Sequence, residues 1–530
     1  PTLPDTSQWK CESFPAQRGV SRAIDVGAGY VSKGSGKFGE YNGLDNQGGV
    51  LIADGTVRFR GEDGVYWDAD ASNLGLRSRA LGLEAGRQGR YKLLLDYEEI
   101  PHVISDTAQT PYLGAGTGSL TLPAGFAAAN TALMPLGATL HQADLETQRK
   151  RFGVGGSWLA SPEWQYAVRV RHESKEGTKR TAGAFFVNAA QLVEPVDYVT
   201  DQVDASASYT GQRLQAKFAY YGSLFRNGNN ALTWQNPFTG IPAAPTTGQL
   251  ALAPDNQFHQ LLASLGYQLT TRTRATADLA VGRMTQNETF LGATTNGAVA
   301  VPALPRSSLN GEANTLNANL KLNSSVTDAL RLNAAYSHNE RDNRTPQAAY
   351  SGVSTDMFLS APRTNLPYTF KQDKVSLSAD YRATATTRAS LGFDHDAHKR
   401  TFQEAETTRD NTVWGKVAAR ALENIELSLK LAHGERRNSG YNPGIVPLEN
   451  PLMRKFHLAN RTRDSVALRA DIAAADNVSI GLGVSNSKDV YTDSPIGLTK
   501  GSDFGLHGDI SVAVTEDTSV HFFVTREQIR

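Results

Sequence analysis

Residues 192–227 read LVEPVDYVTDQVDASASYTGQRLQAKFAYYGSLFRN. Val203, Ala205, Ala207 and Tyr209 alternate with Asp204, Ser206 and Ser208, and Thr210-Gly211-Gln212-Arg213 reads as a turn. Leu214, Ala216, Phe218 and Tyr220 then alternate with Gln215, Lys217 and Tyr221. Successive side chains of a strand point to opposite faces, so the stretch predicts a hairpin with one apolar and one polar side.

The unit recurs along the chain. Val57 and Phe59 alternate with Arg58 and Arg60, and Val65, Trp67, Ala69 and Ala71 with Tyr66, Asp68 and Asp70. Trp164, Tyr166, Val168 and Val170 alternate with Gln165, Arg169 and Arg171. Leu330, Leu332, Ala334 and Tyr336, then Val375, Leu377, Ala379 and Tyr381, then Ile425, Leu427, Leu429 and Leu431 repeat it. Phe504, Leu506, Ile510, Val512 and Val514 do so late in the chain. Roughly 21 strands of this kind are predicted.

Their connections decide between architectures. Tight turns are expected at Gly61–Gly64, Gly86–Gly89, Ser161–Glu163, Thr210–Arg213, Ser324–Asp328, Thr384–Thr387, Glu423–Asn424, Ala475–Asn477 and Glu516–Thr518. Between them run long stretches near 100–142, 174–194, 228–254, 288–312, 343–367, 437–461 and 491–502, rich in Gly, Pro, Asn and Thr. A soluble sandwich has no reason to place its long loops at one end. An outer-membrane barrel has short periplasmic turns and long external loops. The fold class is therefore all-β, a large antiparallel transmembrane barrel in a bacterial outer membrane with a periplasmic N-terminus. Aromatic residues near strand ends (Tyr30, Trp158, Trp164, Tyr220, Tyr267, Tyr336, Tyr381, Phe523) fit interfacial girdles. Residues 1–20 show neither period and read as an N-terminal periplasmic segment, with the barrel over 21–530.

Composition agrees. Lys+Arg and Asp+Glu are 53 each, so no net field points to nucleic acid. Mean hydropathy is −0.38, and no run of about 18 apolar residues predicts a membrane helix; half of every barrel strand faces water, so low hydropathy suits a barrel. The single cysteine, Cys11, excludes an internal disulfide framework, cysteine-rich zinc sites and a Cys-x-x-Cys-His haem attachment.

Strand parity and size add two expectations. Counted from a periplasmic N-terminus, the last strand near Ser519–Thr525 runs outward, so a barrel with both ends in the periplasm closes only with further strands. Porins of about 16–18 strands leave an aqueous channel, and 22-stranded transporters are plugged. A wider open lumen would breach the membrane barrier. Alternation begins near Arg22, which leaves no room for an N-terminal plug, and Pro101–Gln142 is too rich in Gly and Ala to fill the lumen. The plug is expected to be a separate protein.

Candidate chemical motifs carry little. Gly114–Gly118 and Lys33-Gly34-Ser35-Gly36-Lys37 lack the strand-to-helix context of a phosphate loop. In Asp394-His395-Asp396 the histidine points away from both carboxylates on a strand. His172-Glu173 and the Glu404/Glu406 carboxylates read as charges near strand tops. Arg149-Lys150-Arg151 with Arg169 and Arg171 reads either as balanced lumen charge or as a docking surface for a carboxylate-bearing plug such as haem propionates.

Glu194-Pro195-Val196-Asp197-Tyr198 resembles the decahaem-associated outer-membrane barrels of the MtrB/PioB family. So do Pro111-Tyr112-Leu113-Gly114 through Leu120-Thr121-Leu122-Pro123, Pro254-Asp255-Asn256-Gln257, and Thr407 through Trp414. Leu452-Met453-Arg454-Lys455-Phe456, Leu458-Ala459-Asn460-Arg461, Tyr491-Thr492-Asp493 and Ile496-Gly497-Leu498-Thr499 complete the likeness. The resemblance implies roughly 26 strands in a complete barrel, a periplasmic decahaem c-type cytochrome inside it, and in some members a second multihaem cytochrome outside. Members often carry Trp-x-Cys-x-x-Cys near the N-terminus; here Trp9 and Cys11 are kept and Phe14 stands at the second cysteine. The implied function is a non-catalytic sheath that positions the partner's haems so electrons cross a hydrocarbon core about 30 Å thick; a large solute-conducting porin or transporter is the alternative. Haem c would belong to the partner, and calcium in the acidic loops is left open. The lumen-facing residues expected to meet the partner are Arg58, Arg60, Asp68, Asp70, Arg169, Arg171, Asp204, Gln215, Lys217, Arg331, Asn333, Asp380, Lys430, Arg469 and Asp509.

Overall fold

The computed structural model describes residues 18–61, 63–185, 188–241, 243–445 and 449–530; Trp9 and Cys11 lie outside them. Twenty-one long strands form one antiparallel sheet in which each pairs with its sequence neighbours. They are β1 Gly19–Val31, β2 Gly48–Arg60, β3 Val65–Leu74, β4 Ala80–Arg87, β5 Tyr91–Ser105, β6 Leu145–Leu159 and β7 Trp164–Phe185. Next come β8 Asn188–Thr210, β9 Leu214–Asn227, β10 Asn256–Thr270, β11 Thr273–Gln286, β12 Gly311–Ser325, β13 Leu330–Asn343 and β14 Phe370–Arg382. The series ends with β15 Thr387–Arg400, β16 Thr407–Leu422, β17 Ile425–Asn438, β18 Arg461–Ala475, β19 Val478–Tyr491, β20 Lys500–Ala513 and β21 Ser519–Ile529. Among the described residues β1 pairs only with β2, and β21 only with β20.

The hairpin at 192–227 is β8–β9, with Thr210 opposite Gln215, Ser208 opposite Lys217 and Asp204 opposite Tyr221. Directly opposed residues share a face, so register carries the polar face from strand to strand across the sheet. Leu94, Ser157, Arg169, Asp204, Lys217 and Gln260, on β5 to β10, line one cavity of about 580 Å³ on that face. The other face carries Val168, Val170, Phe218, Leu261, Leu391, Leu429 and Leu431, all exposed. So many exposed apolar side chains are stable only against lipid.

Two sequence expectations need correction. Residues 174–194 are not a long loop: β7 and β8 stay paired up to Phe185 opposite Asn188. The hairpin stands well above the lipid, and Lys175, Lys179, Glu194 and the neighbouring polar residues look like loop composition because their strands have left it. Phe523 is not on the lipid side, because it lies opposite Asp509 on the polar face, whereas Phe522 faces outward opposite Ile510. One tight turn has no sequence signal. Thr271-Arg272 links β10 to β11 without the Gly, Pro or Asn that mark turns.

The tall hairpin anchors an external cap. Tyr112, Leu120, Phe185, Leu192, Leu232, Trp234 and Leu252 form its buried core, drawn from three connections that the sequence shows only as separate loops. Trp234 requires glycine beside it: a Cβ on Gly183 or Gly248 would stand 2.1 or 2.4 Å from the indole. Elsewhere strand tops are tied sideways. Asp255 Oδ1 accepts the Asn227 N–H at 2.8 Å, Asn460 Oδ1 the Asn438 N–H at 2.7 Å, and Asp493 Oδ1 the Asn460 N–H at 2.9 Å. The family-like segments at 254–257, 458–461 and 491–493 thus supply the side chains that close backbone donors where the ladder ends.

Candidate functional site

All fifteen lumen candidates fall on one face. Arg58 lies opposite Asp68, Arg169 opposite Asp204, Arg331 opposite Asp380, and Ser428 opposite Arg469. Gln215 and Lys217 follow from Thr210 and Ser208, and Asp509 lies opposite Gly481, itself opposite Asp471. Alternation sets which residues share a face within a strand; register joins those faces into one wall.

The wall has two halves. Toward the external side most of its charges pair with one another, while Arg341 near the top of β13 is exposed and makes no ion pair among the described residues. Arg169 pairs with Asp96 and Arg151 with Glu98. Arg149 meets Glu173 at 3.2 Å and Arg171 meets Asp204 at 4.0 Å. Lys374 meets Asp396 at 3.3 Å, and Arg436 and Arg461 reach Asp410 at 2.8 and 3.2 Å. The basic patch of Arg149, Arg151, Arg169 and Arg171 is thus internally balanced. Lys150 points to the other face, one residue out of step with Arg149 and Arg151.

From the level of Arg169 down to the periplasmic turns the balance is only partial. Arg60 is held by Asp68 through two hydrogen bonds of 2.7 and 2.9 Å, and Arg469 by Asp471 at 2.7 Å and Asp509 at 3.3 Å. Asn333 donates to Asp380 at 2.9 Å, Ser390 donates to the same carboxylate at 2.6 Å, and Gln215 accepts from Arg274 at 2.7 Å. Asp70 packs its carboxylate over Gly82. By contrast Arg58, Lys217 and Arg331 are exposed. No ion pair or side-chain hydrogen bond holds them among the described residues. Lys321, Arg388, Lys416 and Arg420 are likewise exposed without an ion pair among the described residues, against two carboxylates in the same condition, Asp278 and Glu426.

One contact sharpens the point. Lys416 and Lys430 lie directly opposite each other in the β16–β17 ladder, a placement that costs stability in a sheet. Lys430 stands over the Trp414 ring, 4.9 Å from its centroid, which offsets part of the repulsion. Trp414 is fixed in turn by donating Nε1–H to Asp394 at 2.9 Å. It lies across Gly392, where a Cβ would stand 2.2 Å from the indole.

The other motifs resolve into structure. Asp394 takes Ser376 Oγ at 2.6 Å, Asp396 takes Gln372, and His395 turns to the outer face and bonds Asn411 at 2.6 Å. His172 points outward to Asp201 and Glu173 inward to Arg149. Glu404 is a buried loop carboxylate paired with Lys455. Burial pushes it up, but the Lys455 ammonium and a backbone hydrogen bond outweigh that and hold it below the ordinary glutamate range. Among the described residues no three His, Cys, Asp or Glu side chains converge as a metal site.

Comparison with known proteins fits this architecture. Residues 30–530 match the family described as outer membrane beta-barrel porin, MtrB/PioB. The chain is 33% identical over 522 residues to the outer membrane protein MtrB of Shewanella baltica (strain OS185), covering 98% of this chain and 74% of that protein. Among solved structures it is similar to the copper transporter OprC (8% identity, TM-score 0.42, 97% of this chain and 72% of that one). It is also similar to the siderophore receptor PiuA of Acinetobacter baumannii (6% identity, TM-score 0.43, 95% and 75%). The chain belongs to the MtrB/PioB family of outer-membrane β-barrels.

Proposed function

We propose that this barrel is a non-catalytic sheath that encloses a periplasmic multihaem c-type cytochrome, of the decahaem class, and holds its haems in line so that electrons cross the outer membrane. The observation that carries this reading is the excess of unpaired cations, Arg58, Lys217, Arg331, Lys416 and their neighbours, on the inner wall from mid-height to the periplasmic turns. Two lysines held opposite each other call for an anionic occupant, which in an open pore would be a small anion in transit. A carboxylate-rich occupant, haem propionates included, would neutralise them. With one cysteine and no Cys-x-x-Cys-His, the chain does not attach haem c covalently, so the redox groups belong to the partner. A second multihaem cytochrome would meet the ordered external cap.

The second reading is a large solute-conducting porin, favoured by the polar inner wall. Purification in mild detergent separates the two. A red, haem-staining protein that stays with the barrel supports the sheath; a colourless barrel giving large ohmic channels in a planar bilayer overturns it.

A further inference from the structure

The external cap holds a cavity that a lumen function does not use. It lies between the 106–142 connection and the upper end of the β7–β8 hairpin, with a volume of about 380 Å³. Arg180, on its wall, is sixteen residues along β7 from Trp164 at the periplasmic end. At the usual strand tilt that is a rise of about 40 Å, against an apolar band about 25 Å tall, so the cavity stands outside the lipid. Its walls are tied together. Gln109 and Thr110 pair with Gln142 and His141 at the base of the connection. The Ala143 N–H donates to the Ala108 carbonyl at 2.9 Å, the Ala128 N–H to that of Pro237 at 3.2 Å, and the Tyr112 hydroxyl to that of Gln235 at 3.0 Å. Tyr112, Phe126, Leu192 and Val193 are buried, and with Met134 and Phe238 they give the space an apolar, largely aromatic lining.

Arg180 is the charged residue of that lining, and no Asp or Glu belongs to it. Arg180 lies opposite Val193, and Gln191 is the next residue of β8 on the same face. Both Arg180 and Gln191 are exposed where the cavity opens, and neither makes an ion pair or a side-chain hydrogen bond among the described residues. The acids adjacent in sequence are occupied elsewhere: Asp106 accepts the Gly36 N–H at 2.7 Å, and Asp144 accepts Gln142 Nε2–H at 2.8 Å. Lys179 and Glu194 pair with each other at 2.9 Å on the other face of the hairpin. The Tyr112 phenol adds no negative charge, because burial pushes its ionisation up. A guanidinium stays charged at any pH a protein meets, so a permanent cation and a neutral amide stand over an apolar chamber. We propose that the cavity binds a small aromatic carboxylate, with its ring among Tyr112, Phe126 and Phe238 and its carboxylate on Arg180 and Gln191. A planar guanidinium takes a carboxylate through two parallel hydrogen bonds. At about 30 Å³ per non-hydrogen atom, the share of a water in the liquid, the chamber holds about a dozen such atoms. Apolar cavities with a few placed polar groups are the usual form of a small-ligand site.

The test measures binding of 2-naphthoate to the full chain in detergent micelles by isothermal titration calorimetry, against protein-free micelles. Saturable binding at a single site is expected. Arg180→Gln should weaken it by about tenfold or more, the range of a lost charge-assisted hydrogen bond. The neutral 2-naphthalenemethanol, which keeps the ring, should bind the unaltered protein about tenfold less tightly for the same reason. Ala189→Trp, at an exposed position of the lining, fills the chamber without touching Arg180 and should abolish binding by folded barrel. Millimolar acetate should not compete, and decanoate should bind more weakly than 2-naphthoate. Absence of saturable binding, or equal binding by folded Arg180→Gln, overturns the proposal. Competition by acetate would make Arg180 a site for free anions, and tighter binding of decanoate would make the chamber an acyl-chain site; either overturns it equally.

Discussion

The two halves of the inner wall are built from the same residue types and behave oppositely. Near the external end arginine and carboxylate meet across neighbouring strands, as Arg151 meets Glu98 and Arg436 meets Asp410. At mid-height lysine meets lysine, and nearer the periplasmic turns Arg58 and Arg331 make no ion pair among the described residues. The first arrangement stabilises a barrel by itself. The second leaves charge for something else to neutralise. Net charge over the whole sequence, 53 against 53, conceals the asymmetry.

The contrast can be broken most directly by charge reversal. Replacing Arg58, Lys217 and Arg331 with Glu together should cut the cytochrome retained on purification by tenfold or more, at roughly 1 kcal/mol per interfacial charge, without lowering the yield of folded barrel. Haem staining against barrel protein reads the ratio. Reversing Arg169 and Arg171 should do the reverse, lowering folded barrel because Asp96 and Asp204 then face like charges. If both sets lowered retention equally, the division into closed and open halves would be wrong.

A second experiment concerns the lysine pair. Gly392→Val drives a side chain into Trp414 and removes the support beneath Lys430, an overpacking cost of about 1–3 kcal/mol. Thermal unfolding should fall accordingly, and Lys416→Gln in the same background should recover part of the loss by removing the opposed charge. A milder change on the closed half is Asp96→Asn, which unpairs the partly exposed Arg169 and should cost about 1 kcal/mol or less, visible as a small shift in denaturant midpoint.

The smallest expected effect lies outside the membrane. Because Glu404 is held below its ordinary range and Lys455 above its own by their pairing, the clamp contributes fully between the two. It is lost as pH falls through the depressed glutamate value, and again as pH rises through the elevated lysine value. Proteolysis of the 439–460 connection should therefore accelerate in acid and stay flat through neutrality. Glu404→Gln should be cut at the acid rate at every pH, and a flat profile in the unaltered protein would remove the clamp from the account.

Much of the fold was legible because a barrel strand repeats every two residues and each strand declares its faces alone. Val203 and Asp204 could be assigned to opposite sides with no knowledge of their neighbours, and so could the other lumen candidates. Signals other than alternation mislead in this chain. The upper parts of β7 and β8 have the composition of a loop, the turn at Thr271-Arg272 lacks turn residues, and Phe523 is aromatic near a strand end although parity puts it inside.

By itself, then, the sequence determined the strand count, the two faces and the family, since those depend on local period and on residues read in order. Only the tertiary structure decided which charges cancel. Arg171 and Arg331 look alike in the sequence, each within reach of an acidic residue on the next strand. One pairs with Asp204, and the other lies opposite Asp380, whose carboxylate is already taken by Asn333 and Ser390. Pairing depends on register and on competition for the same oxygens, and neither is a property of one strand. The same holds for His172, His259, His338, His395 and His433 on the outer face: five residues spread over the eleven strands from β7 to β17 share one level only because the steps around the barrel descend by one residue on average, which strand tilt imposes.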